Sequence, residues 1–229
     1  MNLRRRIFKY VIATANALCV ILLFLYAAVH LPTFNDRFYS WQYSVNDTYN
    51  VVAMEEDELM RVTRHMLDYM RGRTPELQVY AVIAGEIRPF FSEREVKHMV
   101  DVYDLFVLGD KLRNIAAAWF LATIAILGFM RVPIALTLAR AYRWVIGVLA
   151  ALTAALVVVV AMDFDYSWRV FHEIFFDNDL WLLDPATELL INIVPLPFFI
   201  TLSIFVAAIF FALLAALYAA AHAVCKRMG

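Results

Sequence analysis

Four long apolar stretches, separated by two polar segments, set the plan of this chain. Residues 7–31 are apolar except for Lys9, Thr14, Asn16 and His30, and residues 115–130, 144–162 and 189–225 carry no Asp, Glu, Lys or Arg. A helix needs about 20 apolar residues to cross a hydrocarbon core of roughly 30 Å. The pattern therefore predicts four transmembrane helices, the second beginning near Leu112. The first polar segment carries shorter periods. Residues 54–71 predict a helix: Glu55, Glu56, Asp57 and Glu58 suit its positive end, and Leu59, Val62, Met66 and Met70 recur at helical spacing. Gly72 is its stop. Residues 77–83, with Val79, Val82 and Ile83, predict a short strand bounded by Gly85 and Pro89. A second helix starts at Ser92, which forms a capping box with Glu95. Its apolar face is Val96, Met99, Val100, Tyr103 and Phe106. The second polar segment, residues 163–188, is aromatic, with Phe164, Tyr166, Trp168, Phe171, Phe175, Phe176 and Trp181. It reads as an aromatic belt at the membrane surface or as the wall of a pocket for lipid chains.

Composition agrees with this plan, and charge orients it. Hydrophobic residues make up 63% of the chain and charged residues 18%, against about 25% charged in soluble domains. All 21 acidic residues lie in the two polar segments, 14 in residues 32–114 and 7 in residues 163–188. The remaining polar pieces are purely basic: Arg4, Arg5, Arg6 and Lys9; Arg131, Arg140 and Arg143; Lys226 and Arg227. Short basic segments stay in the cytoplasm. The expected protein lies in a membrane with both termini cytoplasmic and both polar segments outside. The first stretch is longer than the roughly 7–15 residues of a signal-peptide core, so it reads as a retained anchor. Cys19 in the first span and Cys225 at the inner end of the last predict no disulfide. The fold class is membrane all-α: four transmembrane helices with a small, mostly helical extracytoplasmic cap. Its divisions are residues 1–31 (tip and first span), 32–112 (cap), 113–162 (second and third spans with a basic loop), 163–188 (aromatic outer loop) and 189–229 (last span and tail).

Two of the five histidines invite chemistry. His30, His65 and His222 are given ordinary surface or span-end roles. His98 lies on the second cap helix with Asp101 three residues on, on the same face, where a carboxylate can hold a ring nitrogen and fix its tautomer. His172 lies in the other outer segment. Both face the same side, so they can meet. On spacing alone they are either a catalytic pair or two solvated interfacial histidines. His98, Asp101, His172 and Glu173 offer metal-ligand atoms, but without a compact His or Cys pairing no metal is expected. Ser92 is used as a cap, neither cysteine reaches the outer face, and no Gly-x-Ser-x-Gly occurs. Nothing in the sequence suits nucleic acid.

The run Ser92-Glu-Arg-Glu-Val-Lys-His98-Met-Val-Asp101-Val resembles the Glu-x-x-His-x-x-Asp-Val motif of the bacterial lipoprotein intramolecular transacylase family. The run Phe171-His172-Glu-Ile-Phe-Phe-Asp-Asn-Asp-Leu-Trp181-Leu-Leu-Asp184-Pro resembles its second motif, and Pro195-x-Pro197-Phe-Phe is similar as well. The resemblance runs from the anchor to the last span.

That resemblance implies a cofactor-free acyl transfer. The substrate would be a diacylated lipoprotein, whose glyceryl sn-2 acyl chain moves to the α-amine of its N-terminal cysteine. His98 and His172 would be the catalytic pair, with His172 the preferred base. Asp101, Glu95 and Asp184 would support or orient them, and Phe171, Phe175, Phe176 and Trp181 would shape the substrate pocket. Membrane lipid is the other expected partner, and the chain is expected to act as a monomer. The rival reading is a non-catalytic sensor or partner subunit with a lipid-binding cap. Rings about 4–7 Å apart would fit two catalysts flanking one reacting centre, and a separation beyond about 12 Å would argue against a shared site.

Overall fold

Four helices are long and apolar enough to cross a membrane: α1 (Leu3–Thr33), α5 (Glu93–Phe129), α6 (Ile134–Met162) and α9 (Leu196–Met228). A computed structural model describes residues 3–228. Between these helices come α2 (Asp36–Val45), α3 (Thr48–Val51), α4 (Glu56–Met70), β1 (Tyr80–Ile83) and β2 (Glu86–Pro89), then α7 (Phe164–Phe175) and α8 (Leu190–Ile193). The chain divides into a membrane unit, residues 3–30, 110–162 and 205–228, and a cap unit, residues 31–109 and 163–204.

The membrane unit packs through small residues. Ala13, Ala17 and Ala28 of α1 are buried with Leu127, Leu138, Tyr142, Ile146, Phe210 and Leu214. Small side chains let helix backbones approach where water provides no driving force. Leu152, Leu156, Val158 and Val159 of α6 stay exposed, as lipid-facing positions do. One polar lock sits inside. Tyr142 Oη donates to Asn16 Oδ1 at 2.5 Å, and Asn16 Nδ2 donates to the Phe120 carbonyl at 3.5 Å. Asn16 is fully buried. Asn16→Leu is expected to cost about 1–2 kcal/mol, because it strands the Tyr142 hydroxyl; thermal unfolding in detergent measures it.

The cap unit follows its capping chemistry. Asn35 Oδ1 accepts the Arg37 N–H at the start of α2. The predicted face of α4, Leu59, Val62, Met66 and Met70, is buried. Gly72 ends that helix at φ +68, with its N–H on the Tyr69 carbonyl and the Arg73 N–H on Asp68, the bonding of a left-handed C-terminal cap. β1 and β2 form an antiparallel hairpin, Tyr80 opposite Pro89 and Ile83 opposite Glu86. Ala84 and Gly85 both have positive φ, as a two-residue hairpin turn requires. Ala81 and Ile83 point into the cap core with Leu59, Tyr43, Phe90, Ile193 and Phe198.

Several expectations are corrected here. The second cap helix and second span are one unbroken helix, α5, of 37 residues. It carries no proline, and its last charge is Arg113, so the helix runs on from a polar first half into an apolar second half. The strand expected over residues 77–83 begins only at Tyr80, and Pro89, expected to bound that strand, ends a second one. The outer segment 163–188 opens with a helix, α7, started by Asp163 Oδ1 accepting the Tyr166 N–H at 3.0 Å. The apolar run from residue 189 is not all one span. Leu190, Ile193, Val194 and Phe198 lie in the cap core, and α9 starts after Pro195.

Candidate active site

The site is assembled within the cap unit by α5, α7 and the loop that follows α7. The capping box forms as the sequence predicts: Glu95 N–H donates to Ser92 Oγ at 3.2 Å, and Ser92 N–H donates to Glu95 Oε2 at 2.5 Å. Glu95 Oε1 also accepts the Leu190 N–H at 2.5 Å. This carboxylate is 1% exposed. Burial pushes its pKa up, against the lowering effect of the hydrogen bonds from Leu190 and Ser92. Glu95 therefore clips the start of α5 to α8 and fixes the helix that carries His98.

His98 and His172 meet. Their ring centroids are 6.2 Å apart at 34°, and they are 8% and 7% exposed. His172 closes α7 and sits in an aromatic box. Trp181 stacks on it at 4.8 Å, Trp168 meets it edge-on at 4.8 Å, and Phe171 and Phe176 lie at 5.5 and 5.6 Å. Its Nδ1 lies 2.7 Å from the Trp168 carbonyl. A carbonyl only accepts, so Nδ1 carries the proton and Nε2 keeps a lone pair. Burial lowers the His172 pKa, and the Trp168 hydrogen bond opposes this.

His98 packs against the Phe176 ring at 5.5 Å, and its Nδ1 is buried without a hydrogen-bond partner. Its pKa falls to about 4, chiefly through burial, then through His172; Asp101 pulls it up and Arg94 down. Both rings are thus neutral near pH 7. An unfolded chain takes up a proton at His98 near pH 6.5, and the folded chain only near pH 4. The folded state therefore loses stability as pH falls through that window. His98→Leu is expected to flatten the fall of melting temperature between pH 6.5 and 4, read by thermal scans of wild type and variant.

The supporting residues are placed differently from the sequence expectation. Asp101 does not hold His98 Nδ1. Its Oδ2 accepts from Asn178 Nδ2 at 2.9 Å, and it reaches His98 by charge alone. Asp184 is exposed and stands away from the histidine contacts. Its Oδ1 accepts the Ala186 N–H at 2.9 Å, and its own N–H donates to Glu188 Oε2, so it shapes the turn leading to α8. Phe175 and Phe176 line a cleft of about 260 Å³ with Asp101, Asp104, Leu105, Leu108, Asp177 and Asn178. Phe171 stacks on Trp168 at 5.4 Å. Three contributors were not expected. Trp168 offers a backbone carbonyl, which its residue type does not advertise. Asn178 lies inside the second motif, and Arg94 donates to the Asp179 carbonyl from the first. Among the described residues no three His, Cys, Asp or Glu side chains gather as metal ligands.

No curated protein matches this chain. A family model described as lipoprotein intramolecular transacylase Lit matches residues 14–199. Among solved structures, the chain is similar to the membrane integral lipoprotein intramolecular transacylase Lit from Bacillus cereus. The TM-score is 0.76 at 17% identity, covering 96% of this chain and 97% of that one. Two variants of that protein, with a histidine changed to arginine or to alanine, each give a TM-score of 0.73 at 16% identity. They cover 97% of this chain and 94% and 96% of theirs. At such identity the likeness speaks to the fold.

Proposed function

Since the chain belongs to the lipoprotein intramolecular transacylase family, and is therefore a membrane acyltransferase, we propose that it moves the sn-2 acyl chain of a lipoprotein's S-diacylglyceryl group to the α-amine of the same cysteine. The observation that carries this reading is the pair of buried, neutral imidazoles 6.2 Å apart in an aromatic box.

The chemistry follows from the ring atoms. The free amine attacks the sn-2 ester carbonyl. His172 is the base: its Nδ1–H is committed to Trp168, so Nε2 accepts the amine's proton as the C–N bond forms. His98 faces the other side of the reacting carbon. Its Nδ1 has no protein partner and serves as the N–H donor to the oxyanion. The tetrahedral intermediate collapses, the bond between the acyl carbon and the sn-2 oxygen breaks, and His172 returns the proton to the departing alkoxide, which stays on glyceryl C2. An ester becomes an amide plus a free hydroxyl, with no net proton, water or cofactor consumed. Amine and ester belong to one molecule, so holding their geometry supplies much of the rate. The aromatic walls keep out water, which would otherwise hydrolyse the ester.

The charge pattern supports a direction as well. Basic and acidic pieces alternate along the chain, which favours a topology with both termini in the cytoplasm and the histidines outside, the protein working as a monomer on substrate held in the outer leaflet, its acyl chains among membrane lipid. Mass spectrometry of a reporter lipoprotein's N-terminal peptide, in cells that otherwise make only diacyl forms, tests the reading. An N-acylated cysteine bearing a monoacyl glyceryl group supports it; unchanged diacyl peptide at good expression overturns it.

A further inference from the structure

Asn178, which neither catalytic role uses, ties the second histidine motif to the carboxylate of the first. Asn178 Nδ2 donates to Asp101 Oδ2 at 2.9 Å. Its Oδ1 accepts the Leu180 N–H at 3.0 Å, and its carbonyl accepts Trp181 Nε1–H at 2.9 Å. It therefore spends both ends of its amide, one on α5 and one on the turn that seats the tryptophan stacked on His172. Only an amide does both. An aspartate at this position would lack the donor and set a second carboxylate beside Asp101, and a leucine would make neither bond.

The Asp101 carboxylate is the anion on the same helix as His98, three residues on, and the ring's Nδ1 is buried and unclaimed. A free carboxylate at that spacing bonds a neighbouring ring nitrogen readily. Nδ1–H would then be spent inside the protein, leaving Nε2 as an acceptor with nothing to give an oxyanion. We propose that Asn178 is a positioning residue for the transfer: it keeps the Asp101 carboxylate engaged so that His98 Nδ1 stays open for substrate, and it fixes the turn that holds Trp181 on His172. This rests on the transfer reading for its purpose, but its test does not.

The charged and titratable groups acting on His98 are Arg94 and Asp101 from α5 and His172 from α7. Arg94 is itself engaged with Asp179. Releasing Asp101 therefore changes one influence among three and leaves the others in place. The experiment is an NMR titration of the His98 imidazole in the full-length protein in micelles, beside the transfer rate. In Asn178→Leu the His98 titration moves up by about one to three pH units, as an acquired carboxylate partner requires, and transfer falls up to about 100-fold. Adding Asp101→Asn to that variant returns the titration to the wild-type position or below. Asn178→Ser, which removes the amide without adding bulk, carries the same test if the leucine variant does not fold. A His98 titration that stays in place in a folded Asn178 variant overturns the proposal, whether transfer falls or not. A wild-type protein without transfer activity overturns the function instead, and leaves the titration to decide the role of Asn178.

Discussion

Replacing His172 with alanine is expected to lower acyl transfer by about 10²–10⁴-fold, the span over which a positioned general base contributes. Tautomer, rather than proximity, makes His172 the base. Trp168 lies one helical turn before His172, and its carbonyl takes the Nδ1 proton at 2.7 Å. That leaves Nε2 as a lone pair, and burial keeps the ring neutral below the usual histidine range, so the base is ready at neutral pH. Trp168 and Trp181 cannot stand in for it, because their indole nitrogens are donors only. His172→Asn keeps a polar side chain but supplies no base, so it is expected to be as inactive as alanine. Single-turnover rates on a diacylated reporter peptide check both. Unfolding scans alongside separate lost chemistry from lost packing, since His172 fills the space between two tryptophans.

His98→Ala is expected to cost about 10²–10³-fold, the loss that follows removal of one oxyanion donor. Here the conservative variant should behave differently. His98→Asn offers an amide N–H in place of the ring N–H and is expected to recover part of the rate. The two asparagine variants thus distinguish the roles. Recovery at position 98 and none at position 172 supports His98 as donor and His172 as base; the opposite pattern reverses the assignment. Removing His98 also removes a buried ring packed on Phe176, so the alanine variant loses some stability even as it loses the acid sensitivity that the buried imidazole brings.

Much of this site was legible in the sequence, for identifiable reasons. The capping box of Ser92 and Glu95 is a local motif whose geometry is set by three residues, and it forms as read. The periodicity of residues 54–71 found α4, because Leu59, Val62, Met66 and Met70 recur on its buried face with one polar residue, Thr63, among them. The meeting of His98 and His172 followed from charge sorting plus the paired motifs. Other features were hidden. The buried face of α2 mixes Phe38, Tyr39 and Tyr43 with Gln42, so it carries no clean apolar period. All four residues of β2 are exposed, which erases the alternation that marks a strand. The apolar run 189–204 was read as membrane because composition alone does not separate a lipid-facing residue from one inside a cap. The partner of Asp101 was misread because helical spacing identifies His98 as a neighbour, and only the fold of the 176–189 loop brings Asn178 to the same carboxylate. The Trp168 carbonyl belongs to the backbone and leaves no mark in residue type.

The central claim is that both ends of the transfer lie in one substrate molecule held between two imidazoles. The direct measurement is a crossover experiment with purified protein in lipid. Two diacylated peptides are mixed, one with a ¹³C-labelled sn-2 chain and the other with a heavier peptide and unlabelled chains. Mass spectrometry then assigns the acyl group on each cysteine amine. The mechanism predicts the label on the amine of its own peptide only, and an unlabelled chain on the heavier peptide's amine. A labelled acyl group on the heavier peptide's amine, or transfer of an sn-1 chain, would contradict it.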